Sequence, residues 1–273
     1  MLDSYLRNVK TKKPVIHCIT NYVTANDCAN ILLASGALPA MADSPLEAAE
    51  FTEKADGLCL NLGTLSEDKK KAMLLAGKKA NEIGIPVTLD PVGVGTSGFR
   101  SKTAGELLKE IKIAVIRGNA SEIKSLLKKD TLGRGVDAES SDEDRLETLE
   151  EKVDIAKELS KNTGAVVVMT GEADVVTDGV KTYVAHNGIP ELTKVTGAGC
   201  MLSSVVAAFA AANKNDLLTS ALAAVCAFGR AGEIAKDKLN EDEGNISLRN
   251  YLIDAIYLMT PENLEKGAKY EDR

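Results

Sequence analysis

Short apolar runs at 14–19, 57–62, 85–90, 112–117 and 165–170, most of them rich in β-branched residues, alternate along this chain with stretches of helical period. The runs lack the in-out alternation of a half-exposed strand, so both faces of the sheet they form must be covered. Intervening helical patterns at 26–34, 66–83, 104–111, 121–127 and 144–159 are long enough to return the chain and cover those faces. The expectation is an α/β three-layer sandwich with a mainly parallel central sheet and helices on both sides. A later pair, 175–176 and 180–184, is split by Thr177-Asp178-Gly179 and predicts one antiparallel hairpin. Ser66 is the expected cap of helix 66–83, with Lys69 to Lys71 on its exposed face. No repeat or linker divides the sequence, so residues 1–273 read as a single domain.

Charge and cysteine usage narrow the partners. The 33 basic and 40 acidic residues give a net charge of −7 with no basic tract, which argues against nucleic acid. The apolar runs 200–212 and 217–228 fall short of the ~20 residues that span a bilayer, and read as buried helices with no membrane partner. Residues 1–13 lack the apolar stretch of a signal peptide. Five cysteines, odd in number and without a C-x-x-C pair, suit free thiols in the cytoplasm. The polar stretch 128–151, with Gly133-Arg134-Gly135 and Asp142-Glu143-Asp144, is expected to be an exposed loop leading into a solvated helix.

Chemistry-bearing residues collect where strands end, the address at which open α/β sheets bind ligands. Asn21, Asn61 with Gly63, Asp90, Arg117 with Asn119 and Glu122, and Thr170 with Gly171 all lie there. Each also has a plain structural role open to it: Asp90 precedes a proline, Asn119 can cap the next helix, and Thr170-Gly171 can enter a hairpin. Val195-Thr196-Gly197-Ala198-Gly199-Cys200 runs directly into an apolar helix. Unpaired amides at such a start cradle an anion, and Cys200 would sit beside it; the alternative is a tight turn holding a structural cysteine.

Other chemistries fit less well. Gly93-Val94-Gly95-Thr96-Ser97-Gly98 spells a dinucleotide fingerprint, but the next helix is expected to open only near Thr103 and the next strand to end in Arg117 where an acid is required. His17 and His186 form no zinc spacing, and His186-Asn187 could serve Cys200 only if the fold brings them together. Asp90 and Glu122 offer hard oxygens suited to magnesium with a phosphorylated ligand.

The chain resembles the hydroxyethylthiazole kinases of thiamine biosynthesis and salvage, within the ribokinase-like superfamily. The resemblance rests on Asn21-Tyr22-Val23-Thr24, Pro39-Ala40-Met41-Ala42, Leu60-Asn61-Leu62-Gly63-Thr64-Leu65, Leu89-Asp90-Pro91-Val92-Gly93, Ile116-Arg117-Gly118-Asn119-Ala120-Ser121-Glu122 and Leu192 through Cys200. It implies transfer of the ATP γ-phosphoryl group to the primary alcohol of hydroxyethylthiazole, with Mg2+. It further implies that Asn21, Met41, Gly63 and Gly197 line the thiazole pocket, that Arg117, Asn119 and Thr170 serve ATP, and that Asp90 and Glu122, with Asn119, order the metal. Gly197, Ala198, Gly199 and Cys200 would supply the anion hole. Cys200 stands where the wider superfamily carries an aspartate base. The helix start would favour its thiolate and the ATP phosphates would oppose it. The resemblance also implies a homotrimer with sites between subunits, Asn21 and Met41 of one chain facing Gly197 and Cys200 of the next. Related kinases of pyridoxal or hydroxymethylpyrimidine, or a nucleotide-hydrate dehydratase, are the alternative activities.

Overall fold

The computed structural model describes residues 1–128 and 148–273, so most of the polar stretch 128–151, with its Gly-Arg-Gly and acidic clusters, lies outside the described residues. The strands are β1 (Val15–Ile19), β2 (Leu38–Met41), β3 (Gly57–Asn61), β4 (Val87–Asp90), β5 (Val115–Asn119), β6 (Val166–Thr170), β7 (Asp174–Thr177), β8 (Thr182–Ala185) and β9 (Tyr270–Asp272). Among the described residues they form one sheet in the order β2-β1-β3-β4-β5-β6-β7-β8-β9. Pairing is parallel from β2 through β6. It is antiparallel from β6 through β9. The expected single hairpin is thus one of a series of antiparallel pairings.

Helices α1 (Asp3–Lys12), α2 (Ala25–Ser35), α8 (Ala198–Ala212), α9 (Leu217–Lys238), α10 (Asn245–Leu258) and α11 (Pro261–Gly267) contribute to the core on one face of the sheet. Helices α4 (Glu67–Ile83), α5 (Gly98–Glu110), α6 (Ala120–Leu127) and α7 (Leu149–Thr163) fill the other; α3 (Ala48–Glu53) packs against α4. Successive strand residues feed opposite cores, as the pleat requires: Val166 and Val168 join the first, Val167 and Met169 the second. Strands buried on both sides explain the unbroken apolar runs.

Several boundaries differ from the sequence expectation for local reasons. Ser97 caps α5 by accepting from the Arg100 amide, so the helix opens at Gly98 instead of near Thr103. The glycine fingerprint therefore does meet a helix, but the following strand β5 ends in Asn119 and still supplies no acid. β5 lies two to three residues later than expected, because Asn119 both closes the strand and caps α6. Helix α9 has 22 residues, reaching a length that could cross a membrane, yet 78% of its most apolar window is packed inside the protein. Lys69 is buried at 6% exposure, against the expected exposed lysine face.

Candidate active site

The chain leaves β1 for β2 on one side and β3 on the other, so the strand order reverses between β1 and β3. A crevice must open there. Register places Asn61, at the end of β3, beside Asp90 at the end of β4. Register likewise places Asn119 beside Thr170. The strand ends thus assemble two adjoining groups, with the first turn of α8 between them.

The first group is a buried hydrogen-bonded cluster. Asn61 Nδ2 donates to Asp90 Oδ2 at 2.8 Å and to Cys200 Sγ at 3.2 Å. Asn21 Nδ2 donates to Cys200 Sγ at 3.3 Å and to Asn61 Oδ1 at 3.0 Å. The Gly63 amide donates to the same Asn61 oxygen at 2.9 Å, and Ser203 Oγ donates to Asp90 Oδ2 at 2.8 Å. Gly63 has no room for a side chain, since a Cβ would stand 2.8 Å from Asn21 Cβ. Asn21 therefore meets Cys200 within one chain, which corrects the expectation that it would face the cysteine of a neighbouring subunit. Gly197, at φ +83°, packs on Thr24 of the same chain, where a Cβ would clash with the Thr24 methyl. Met41 stands apart at the end of the edge strand β2, 39% exposed.

Electrostatics separate the members of this cluster. Burial pushes the Asp90 carboxyl up to about 6, with Glu122 adding to the rise and Arg117, Ser203 and Asn61 opposing it. Its Oδ1 is buried and lacks a hydrogen-bond partner. An acceptor left in that state fits a cation or a water held by one. Burial, then the Asp90 carboxylate, push the Cys200 thiol up, while Thr24, Asn61 and Asn21 oppose the rise. The sulfur is thus a thiol at neutral pH, held as an acceptor by two amides.

The second group lines a cleft of about 810 Å³. Arg117, Asn119, Thr170, Ala198 and Gly199 form its polar end; Ile189, Leu202, Val225 and Phe228 are among its apolar walls. Arg117 Nη2 donates to Thr170 Oγ1 at 2.6 Å, whereas its Nε is buried without a partner. A buried unpaired guanidinium donor fits a phosphate oxygen. Asn119 and Glu122 form a capping box on α6, and the Glu122 oxygens accept from the Gly93 and Asn119 amides at 2.9 Å each. Glu122 is therefore positioned by its structural role and has lone pairs left for water or metal. Among the described residues no group of three or more His, Cys, Asp or Glu could hold a metal, so a cation here needs oxygens from its ligand.

The first turn of α8 borders both groups, the cleft through Gly199 and the cluster through Cys200. The Ala198 amide donates to Val195 O at 3.1 Å, which removes it from the expected anion hole. The amides of Gly197, Gly199 and Cys200 have no backbone partner among the described residues, and they remain the available donors. His186 lies 3.9 Å from Glu271, and Asn187 bonds to Glu233 and Gly267 O; the side-chain bonds to the Cys200 sulfur come from Asn21 and Asn61, so the histidine considered as its partner is not among them.

Sequence reading missed Asn61 as the hub, and Ser203, a hydroxyl inside an apolar helix one turn after Cys200. It also missed the apolar cleft wall. Asn61 had a signal in its position at a strand end; Ser203 had one in being polar within an apolar run.

Comparison with known proteins places these arrangements in context. Residues 6–262 match the Hydroxyethylthiazole kinase family. The hydroxyethylthiazole kinase of Clostridium acetobutylicum is 49% identical over 271 residues, covering 99% of both chains. That of Clostridium tetani is 47% identical over 266 residues, covering 97% of this chain and 96% of its own. The solved hydroxyethylthiazole kinase of Pyrococcus horikoshii OT3 superposes with a TM-score of 0.88 at 32% identity, covering 100% of this chain and 98% of the other. The pyridoxal kinase of Staphylococcus aureus in complex with ADP, at 14% identity and a TM-score of 0.62 over 95% and 97% of the two chains, is similar in fold alone.

Proposed function

The chain belongs to the hydroxyethylthiazole kinase family, and from that premise we propose how its residues carry out the reaction. The protein is a kinase that transfers the γ-phosphoryl group of ATP to the primary alcohol of 4-methyl-5-(2-hydroxyethyl)thiazole. What carries the residue assignment is the meeting of the nucleotide cleft and the Asn21–Asn61–Asp90–Cys200 cluster at the first turn of α8.

ATP lies in the 810 Å³ cleft, its base against Phe228 and Val225 and its phosphates toward Arg117, Asn119 and Thr170. The amides of Gly197, Gly199 and Cys200 receive the charge that grows on the transferring group. Asn21, Gly63 and Gly197 hold the thiazole so that its hydroxyl points at Cys200, and Met41 of a neighbouring copy closes the pocket. Asp90, through its unpartnered Oδ1, and Glu122 would hold Mg2+ with ATP oxygens and water. Bound there, the ion would neutralise charge on the phosphates. Because the transition state of phosphoryl transfer is loose, positioning and charge stabilisation dominate, and the small thiolate fraction of Cys200 suffices as proton acceptor.

Residues 1–273 act as one domain, since both cores share a single sheet. The active form is a homotrimer. Tyr22, Val23 and Leu46, 80%, 57% and 91% exposed, lie close in sequence to Asn21 and Met41, and such apolar surface calls for a partner. Free cysteines throughout the described residues support a reducing, cytoplasmic setting, and the net charge of −7 fits small-molecule substrates and not nucleic acid.

The test is magnesium-dependent ADP release with hydroxyethylthiazole, pyridoxal or hydroxymethylpyrimidine as acceptor, the phosphorylated product being followed by phosphorus NMR. Turnover with the thiazole alone is expected. Turnover with another alcohol alone would discard the acceptor pocket while keeping the nucleotide cleft.

A further inference from the structure

We infer that Lys69 is a positioning residue for the acceptor alcohol, its ammonium tying together the three loops that carry Asn21, Met41 and Gly63. The inference rests on the thiazole reading of that pocket. Lys69 occupies a place that penalises a lysine twice. It is buried, and it lies in the first turn of α4, where the helix dipole favours anions and disfavours cations. Specific bonds must offset both costs.

Those bonds run to three separate segments. Lys69 Nζ donates to Thr20 O at 2.9 Å, immediately before Asn21. It donates to Thr64 Oγ1 at 3.5 Å, immediately after Gly63. It lies 3.7 Å from the carboxylate of Asp43, two residues past Met41. Two of the three N–H donors of the ammonium thus have hydrogen-bond acceptors, and Asp43 adds an ion pair.

The segments are otherwise held tightly enough for the tie to matter. Thr64 sits at φ +45°, a left-handed conformation that a β-branched residue adopts only under constraint. Its hydroxyl also accepts from the Tyr22 amide at 3.4 Å, joining the loops after β1 and β3 a second time. Ala42, between Met41 and Asp43, has its carbonyl fixed by His17 Nε2 at 2.7 Å. None of these partners of Lys69 lines the nucleotide cleft. Its loss should loosen the acceptor side of the site and leave the ATP side unchanged.

Steady-state kinetics with each substrate varied in turn, and calorimetric binding of hydroxyethylthiazole alone, should be compared for the unsubstituted protein, Lys69→Met and Asp43→Asn, with thermal melts confirming folding. Lys69→Met is expected to raise KM and Kd for the thiazole about tenfold, the effect of losing one hydrogen bond to a charged group, with KM for ATP and kcat within about twofold. Asp43→Asn, at an exposed site, should raise the thiazole constants about two- to threefold in the same pattern. Thiazole constants unchanged in both folded variants, or thiazole and ATP constants rising together, would overturn the inference. If Lys69→Met does not fold, Asp43→Asn decides by the same criterion. If the unsubstituted protein itself does not phosphorylate the thiazole, the acceptor reading falls first and this inference with it.

Discussion

Cys200 accepts from two amide N–H groups while a buried carboxylate stands near, an arrangement that holds the sulfur in place without ionising it. Because the native thiol titrates above its ordinary value, the protonated form persists through neutral pH, and any need for thiolate should make kcat climb as pH rises above neutral. Replacing the thiol by a group that ionises at low pH should flatten that limb. The expected outcome is that Cys200→Ala loses no more than the ~10²–10⁴ of general base catalysis, and that Cys200→Asp stays active with a flatter pH–rate profile. A folded but inert Cys200→Asp would remove the residue from the role of proton acceptor. At this scale the site was partly legible: Asn21, Asp90, Arg117 and Cys200 stand at strand and loop ends where ligands bind. Asn61 and Ser203 were harder to read, since their importance comes from cross-strand register and helix facing that a linear pattern does not encode. Lys69 misled because its neighbours Lys70 and Lys71 make the run look solvated, whereas the helix turns that one side chain inward.

At the level of elements, the start of α8 works because two glycines let it press against its neighbours. A Cβ on Gly199 would run into the Arg117 guanidinium, whose Nη2 is bonded to Thr170. Gly199→Ala should therefore displace Arg117 and raise KM for ATP about tenfold, with KM for the thiazole little changed. Ala198→Ser, whose amide is already engaged, should leave both constants near their original values. Substrate-varied initial rates distinguish the two; equal effects at both positions would reduce the turn to a structural one. The buried parallel strands and capped helices were readable because their apolar runs and turn residues are strong. β2 was not: Leu-Pro-Ala-Met is short and contains a proline, which belongs on an edge strand for want of a backbone donor. β9 is also hidden, since Tyr-Glu-Asp carries too little apolar character to announce a strand without β8 beside it.

For the whole molecule, the exposed side chains near the β2 edge are the surface proposed for assembly. Leu38, Met41 and Leu46 are 46%, 39% and 91% exposed, and burying them between copies would gain roughly 25 cal/mol for each Å² of apolar surface. Sedimentation equilibrium is expected to give a trimer at micromolar concentration. Leu46→Glu with Leu38→Glu should shift it toward monomer and lower turnover if Met41 completes a neighbour's pocket. A monomer that keeps full activity would confine the pocket to one chain.

The wall of the proposed nucleotide cleft near Asn187 is finished by residues made much later. Asn187 Nδ2 donates to Gly267 O, 80 positions on, and Asn187 Oδ1 accepts from the Lys269 amide. Beyond them β9 pairs with β8. During synthesis every member of the cluster around Cys200 has been made once Ser203 is added, whereas the cleft cannot lock its wall until Lys269 has followed. Order of manufacture therefore leaves this latch until the end: a chain halted before Lys269 would lack the bonds that hold the cleft wall at Asn187.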